Sequence, residues 1–132
     1  MFSILSKTVT KIFGTKSDRD IKAILPIVDK IKEAYAQLHA ISDDALRAKS
    51  AEFKQRIAEF LSDIDTQITD LHAKGTATTD VDEKETFFQQ IDKLNEERNK
   101  QLEIVLMEIL PEAFAVVKET ARRLTENKKL VV

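Results

Sequence analysis

The chain has 132 residues, of which 42% are hydrophobic, so it can form one modest domain with an apolar core. Its 21 basic and 23 acidic residues leave a net charge of −2, which argues against a nucleic-acid partner, because nucleic-acid-binding proteins usually carry a strong basic excess. The absence of cysteine excludes disulfides, thiolate zinc sites and cysteine nucleophiles.

The first predicted element is an amphipathic helix over residues 2–13. At about 100° per residue, its apolar side chains fall in one arc, and Lys7 and Lys11 lie opposite. Gly14 is suited to end this helix, because glycine adopts the backbone conformation that often follows a helix.

A second helix is predicted over residues 18–39, with Ser17 and Asp18 as its capping signal. Pro26 must either kink this helix or mark a restart, since proline removes a backbone donor and clashes with the preceding turn. Spacings of three and four define its apolar face. The residues of that face are Ile21, Ile24, Leu25, Val28, Ile31, Tyr35 and Leu38.

Two long apolar stripes then predict an antiparallel helical hairpin. Ser42, followed by Asp43 and Asp44, signals the start of its first arm, and residues 75–80 are small and polar enough for a turn. Stripes of similar length on either side of a short turn are typical of such a hairpin. The first stripe is Phe53, Ile57, Phe60, Ile64, Ile68 and Leu71, and the second is Phe87, Ile91, Leu94, Arg98, Leu102, Val105 and Ile109.

A last helix is predicted to open at Pro111, whose fixed φ suits the first helical position. Its expected inner face is Phe114, Val117, Ala121 and Leu124. Arg122, Arg123, Lys128 and Lys129 gather near its end, where the helix dipole is negative. The predicted fold is therefore all-α: an amphipathic N-terminal helix, a kinked second helix, the hairpin and a C-terminal helix.

Sites for catalysis, cofactors and metals are excluded by composition and spacing. Gly14 and Gly75 are the only glycines, so neither a phosphate-binding loop nor a dinucleotide-binding turn can form. His39 and His72 have no carboxylate three positions before them, as a di-iron bundle would require, and are expected to be ordinary surface or helix-end histidines. We predict no catalytic, cofactor-binding or metal-binding residue in this chain.

Arg98 interrupts the second stripe at a position where a core residue is expected. Two interpretations are open: it sets the register of the hairpin, or its long side chain reaches out to solvent.

The N-terminal helix is the candidate functional segment. Residues 1–16 contain three lysines and no acid, and an apolar arc opposite lysines is what a helix at a membrane surface needs. The alternative, a helix docked on its own domain, stays open. The candidate membrane- or channel-binding residues are Phe2, Leu5, Lys7, Val9, Lys11, Ile12, Phe13 and Lys16.

Three blocks of sequence, in order, resemble SecA, the motor ATPase of bacterial protein export. LSKTVTKIFG at 5–14, followed by SDRDI at 17–21, is similar to the start of that family, and ISDDALRAKSAEF at 41–53 is similar to one of its helix starts. The most specific block is LPEAFAVVKETARRL at 110–124, close to the family's LPEAFAVVREAxxR helix, with Lys118 where arginine is usual.

This resemblance implies that the chain is an N-terminal fragment of a cytoplasmic ATPase attached peripherally to the inner face of the plasma membrane. Residues 1–16 would be the membrane- and channel-targeting helix, 17–60 the helical start of the first nucleotide-binding domain, 61–109 an inserted helical hairpin, and 110–132 the returning helix of that domain. The implied partners are anionic phospholipid, the SecYEG channel and unfolded preproteins, and a homodimer is compatible with them. ATP and magnesium are implied for the full-length protein, but their contacts lie beyond Val132.

Two other hypotheses are compatible with the residues. The chain could be a free-standing helical adaptor whose hairpin binds a partner protein, or a small membrane-surface protein. The ordered blocks favour the translocase.

Overall fold

The computed structural model describes residues 16–127 of the chain, and this part folds into three α-helices. They are α1 (Lys16–Leu38), α2 (Asp43–Ala77) and α3 (Val81–Asn127). No strand occurs between residues 16 and 127, and the all-α prediction is confirmed. The amphipathic helix predicted over residues 2–13 lies outside the described residues.

The chain divides into two compact units. One combines the described residues up to Ile41 with those from Pro111 onward, and we call it the terminal unit. The other runs from Ser42 to Leu110 and contains all of α2 and the first part of α3; we call it the hairpin unit.

In the terminal unit, α1 matches the predicted second helix to within two residues at each end. It is a single helix that continues through Pro26, so the proline does not mark a restart. Leu38 alone among its 23 residues is buried, whereas Ile21, Ile24 and Leu25 are about half exposed. The predicted apolar face of α1 is therefore exposed over its first turns, half-buried at Val28, Ile31 and Tyr35, and buried at Leu38.

Both arms of the hairpin unit begin at a side-chain cap. Ser42 precedes α2, and its Oγ accepts a hydrogen bond from the backbone amide of Ala45 at 3.1 Å. Asp80 precedes α3, and its Oδ1 accepts from the amides of Asp82 at 2.9 Å and Glu83 at 3.2 Å. These caps satisfy amides that have no partner within a helix, so the side chains of Ser42 and Asp80 mark where the arms begin.

The two arms pair in antiparallel register. Arg98 on α3 bonds to Asp65 on α2, the ring of Phe88 lies 6.0 Å from that of His72, and Phe87 flanks Gly75. As the residue number on α2 increases from 65 to 75, the number of the contacting residue on α3 decreases from 98 to 87, as an antiparallel hairpin requires. The core of the unit consists of Leu46, Leu61, Ile64, Ile91, Val105 and Ile109.

One position in the first predicted stripe is wrong. Phe60 is 42% exposed, and its neighbour Leu61 is buried instead. Leu61 lies three positions before Ile64 and Phe60 lies four positions before it, and both spacings are compatible with one helix face. The prediction took the larger phenylalanine, and spacing alone could not show that the leucine is the buried residue.

The prediction of a separate last helix opening at Pro111 is also wrong, because α3 runs without a break from Val81 to Asn127. Proline inside a helix loses one backbone hydrogen bond and costs about 3 kcal/mol. Here Val105 and Ile109 are buried before it and Ala115 after it, and this packing on both flanks offsets the loss.

The expected inner face of the C-terminal part of α3 is contradicted too. Phe114, Val117 and Leu124 are each at least half exposed, and Ala121 is exposed as well. The buried residues are Pro111, Ala115 and Glu119, spaced by four on a different face of the helix. A search for hydrophobic residues at helical spacing cannot identify this face, because it includes Glu119, whose burial depends on nearby cations.

Burial of Ile91 yields the first prediction. Its side chain is 3% exposed in the core of the hairpin unit, so Ile91→Asp places an unpaired charge there and should lower the free energy of unfolding by about 3 kcal/mol or more. Urea unfolding followed by circular dichroism measures this loss. Gln90→Asp adds the same charge at the exposed neighbouring position and should change stability little. Equal unfolding midpoints for Ile91→Asp and the parent would contradict the packing described.

The second prediction concerns Gly75, which lies within α2 near the tip of the hairpin. A methyl group placed there would lie 3.6 Å from Cβ of Phe87, an ordinary van der Waals distance. Because glycine is less favourable than alanine inside a helix by about 1 kcal/mol, Gly75→Ala should raise the unfolding free energy by up to that amount. The urea midpoint should rise with an unchanged slope. A lower midpoint would mean that the arms are too close to admit the methyl group.

Candidate functional site

The most unusual group in the described part of the chain is the carboxylate of Glu119, the one charged side chain there that is fully buried. Its Oε1 accepts hydrogen bonds from Arg122 at 2.6 Å and Arg123 at 2.8 Å, and its Oε2 accepts from Arg122 at 3.0 Å. Nδ1 of His39 lies 3.2 Å from Oε2. We call Glu119, Arg122, Arg123 and His39 the Glu119 cluster.

Helix periodicity brings the three α3 members of the cluster together. Arg122 and Arg123 follow Glu119 by three and four positions, and side chains at these spacings are neighbours on a helix surface. Arg122 also donates to Glu126 at 2.6 Å. An isolated buried carboxylate would be very costly, so these donors are what permit Glu119 to be inside.

Arg123 extends the cluster to the end of α1. Its terminal nitrogen donates to the carbonyl oxygens of Leu38 at 2.9 Å and Ile41 at 2.8 Å. The last carbonyls of a helix have no partner within it, and a cation is favourable near them because they carry the negative end of the dipole. Arg123 therefore caps α1 from a position more than 80 residues further along the chain.

Lys118 and Tyr35 make a second contact between the same two helices. Nζ of Lys118 lies 4.2 Å from the centroid of the Tyr35 ring, within range of a cation–π interaction. The Tyr35 ring in turn meets His39 edge-on, with 4.5 Å between ring centroids. The side chains around the end of α1 thus form a continuous set from Tyr35 to Arg123.

In the Glu119 cluster the carboxylate stays ionised at neutral pH, so the cluster is suited to a structural role and not to proton transfer. The Arg122 hydrogen bonds, with help from Arg123, outweigh burial and lower the pKa of Glu119 to about 2. The same contact with Glu119 raises the pKa of Arg122. At neutral pH the carboxylate and both guanidinium groups therefore carry fixed charges, which suits a clamp between chain segments.

The hairpin unit contains a second long-range ion pair. Nε of Arg98 donates to one oxygen of Asp65, and a terminal nitrogen donates to the other at 3.2 Å. This hydrogen bonding lowers the pKa of Asp65 and raises the pKa of Arg98. Because the pair is part-exposed, its contribution to stability is modest, but its two-point geometry joins the arms at one register. Of the two interpretations of Arg98, the register-setting one matches this contact.

The attachment residues predicted from sequence are almost all outside the described part. Phe2, Leu5, Lys7, Val9, Lys11, Ile12 and Phe13 lie before residue 16. Lys16 is described: it is exposed and is the first residue of α1. No helix within residues 16–127 is apolar over a length sufficient to cross a bilayer.

The two histidines differ in their surroundings. His72 packs beside Phe88 near the hairpin tip, whereas His39 contacts the buried Glu119, which sequence reasoning missed. In residues 16–127 no group of histidine, aspartate and glutamate side chains is arranged to hold a metal ion.

Sequence reasoning assigned Arg122 and Arg123 to the helix dipole and overlooked Glu119. The signal that could have found the cluster is the pattern of one glutamate followed by arginine at both the third and fourth positions. The contact of Arg123 with the end of α1 had no local signal, because its partners are backbone carbonyls.

The acidic pKa of Glu119 gives the third prediction. Its folded-state pKa of about 2 is below its ordinary value of 4.5, so its stabilising contribution is complete above about pH 4.5 and is lost as the pH falls from there towards 2. Urea midpoints measured from pH 7 to pH 2 should show Glu119→Gln well below the parent at pH 7, with the difference shrinking below pH 4.5.

Glu126→Gln is the matched control, since Glu126 bonds the same Arg122 but is exposed. Its midpoint should stay close to the parent's throughout. A Glu119→Gln deficit that does not change between pH 7 and pH 2 would show that the carboxylate contributes through its shape and not through its charge.

Comparison with known families leads to one consistent result. The model of the SecA DEAD-like domain matches residues 9–132. No solved structure matches the chain.

Curated relatives that carry the name protein translocase subunit SecA agree with the family model. The chain is 54% identical over 126 residues to the protein from Cytophaga hutchinsonii, 46% over 125 residues to that from Phocaeicola vulgatus, and 43% over 124 residues to that from Parabacteroides distasonis. Each alignment covers 94% of this chain and 11% of the relative. The chain thus spans about a ninth of the length of these relatives.

Proposed function

This chain belongs to the SecA DEAD-like domain family, and on that premise we propose that it is part of an ATP-driven preprotein translocase. The observation that carries the proposal is the 54% identity to the Cytophaga hutchinsonii translocase subunit over 94% of the chain. In the whole protein, ATP and magnesium would be the cofactors, and the SecYEG channel and unfolded preproteins the partners. Homodimerisation of the whole protein is part of the same proposal. The match favours it over a free-standing adaptor and over a small membrane-surface protein.

Within that protein, residues 1–16 serve attachment to the anionic membrane surface and the channel. Their three lysines and their lack of acidic residues support this role, as does the exposed position of Lys16 at the start of α1. Near an anionic leaflet each lysine contributes about 1 kcal/mol, and the apolar arc adds burial in the headgroup region. Such attachment is reversible and peripheral, at the inner face of the plasma membrane.

The remaining segments form a scaffold. Residues 17–60 and 110–132 belong to the start of the first nucleotide-binding domain, and residues 61–109 form a helical hairpin inserted between them. One observation supports the pairing of the flanking segments: Arg123 bonds directly to the carbonyls of Leu38 and Ile41. The hairpin unit contains the whole of 61–109 but begins earlier, at Ser42, so residues 42–60 fold with the hairpin. The segments that precede and follow the hairpin unit therefore belong to one folded unit.

Vesicle co-sedimentation tests the attachment role and is the fourth prediction. The chain should bind anionic vesicles more strongly than neutral ones, and high salt should weaken that binding because it screens the lysine charges. The double variant Lys7→Glu, Lys11→Glu should lose most binding to anionic vesicles and little to neutral ones. Phe13→Asp should lower binding to both, since it removes apolar burial.

The matched control reverses two lysines of α1 instead. Lys22→Glu, Lys30→Glu changes the net charge by the same amount, but both lysines lie outside residues 1–16 and are exposed. This variant should retain most of the parent's binding. Equal loss in the two double variants would mean that net charge alone governs binding, and parent-level binding by the Lys7, Lys11 variant would favour a helix docked on its own domain.

A further inference from the structure

The attachment of α1 within the terminal unit increases towards the C-terminal end of the helix, since residues 16–26 are exposed and Val28 and Ile31 are half-buried. Leu38, its one buried residue, lies in the last turn. The contacts of α1 with Lys118, Glu119 and Arg123 involve Tyr35 and the residues that follow it. Further towards the N-terminus, Ile21, Ile24 and Leu25 remain about half exposed.

This distribution has a consequence for local stability. A segment opens separately from the rest of a protein when it has few buried apolar contacts and many solvent-exposed backbone hydrogen bonds. The first turns of α1 meet both conditions, and Pro26 removes one helical hydrogen bond as well. The position of α1 therefore depends on the contacts of its C-terminal half, which are most extensive at the last turn.

Among those contacts, Glu119 has the controlling position. Its carboxylate accepts from Nε of Arg123, and this bond orients the guanidinium whose terminal nitrogen donates to Leu38 and Ile41. Without the carboxylate, Arg122 and Arg123 would lose the buried charge that they share. Loss of one carboxylate thus weakens several contacts at once.

The hairpin unit has its own source of stability. Its core includes Leu61, Ile64, Ile91 and Val105, all buried, and the Asp65–Arg98 pair joins its arms. None of these groups takes part in the Glu119 cluster.

We propose that the Glu119 cluster is a releasable latch. When its hydrogen bonds break, α1 and residues 39–41 detach from the C-terminal part of α3, while the hairpin unit stays folded. The latch is a conformational device of this chain and does not depend on the membrane attachment proposed above.

Hydrogen exchange measured by mass spectrometry on the 132-residue chain tests the latch. Glu119→Gln should accelerate amide exchange in residues 34–41 by about tenfold or more, and leave residues 60–75 and 87–105 at the parent rate. Arg123→Lys should act in the same direction, because lysine keeps the charge but lacks the fork that joins Glu119 to both carbonyls. Glu126→Gln removes the exposed partner of Arg122 and should match the parent everywhere.

Three results would overturn the proposal. Unchanged exchange in residues 34–41 of both Glu119→Gln and Arg123→Lys would mean that α1 is held elsewhere. An equal acceleration in the hairpin unit would mean that the cluster supports the whole fold. A loss of total helicity by circular dichroism that exceeds the 23 residues of α1, in either variant, would lead to that same conclusion.

Discussion

The burial of a carboxylate at Glu119 is the constraint on which the terminal unit depends. It is tolerated because two arginines supply hydrogen bonds to its oxygens, and because His39 lies beside it. Once Glu119 is in place, Arg123 is aligned with the carbonyls that end α1. A side-chain charge on one helix is thereby linked, through Arg123, to the last carbonyl of another. The contact uses directional bonds between charged and polar groups, and it needs little apolar area.

The hairpin unit is organised by a different principle, and for that reason its architecture was predictable. Its buried residues repeat at helical spacings, as Ile64, Ile91 and Val105 illustrate, and helix periodicity is the strongest structural signal in a sequence. The caps at Ser42 and Asp80 are equally local. In the terminal unit the same signal located α1, but it selected the wrong face in the C-terminal part of α3. Its contact face contains Ala115 and Glu119, so a rule that seeks large apolar side chains selected Phe114 and Val117, which are exposed.

Pro111 was the other source of error. Both Pro26 and Pro111 are local signals to interrupt a helix, yet α1 and α3 continue through them. Local preference predicts an interruption, whereas packing on both sides of Pro111 outweighs it, and packing cannot be seen in a short window of sequence. The functional assignment rests on neither periodicity nor packing. It comes from ordered blocks of residues that the family model also matches, and no described residue is assigned a catalytic role.

The pairing of Asp65 with Arg98 limits how the hairpin can vary among homologues. Between this ion pair and the contact of Gly75 with Phe87 near the tip lie residues 65–75 of α2 and residues 87–98 of α3. Residues added to one arm would separate the tip contacts from the ion pair unless the other arm gained a similar number. They would also turn the buried stripes outward unless they came as whole helical turns, roughly seven residues for two turns. In evolution this hairpin should therefore lengthen or shorten in matched, periodic steps, and single-residue insertions should be confined to residues 78–80.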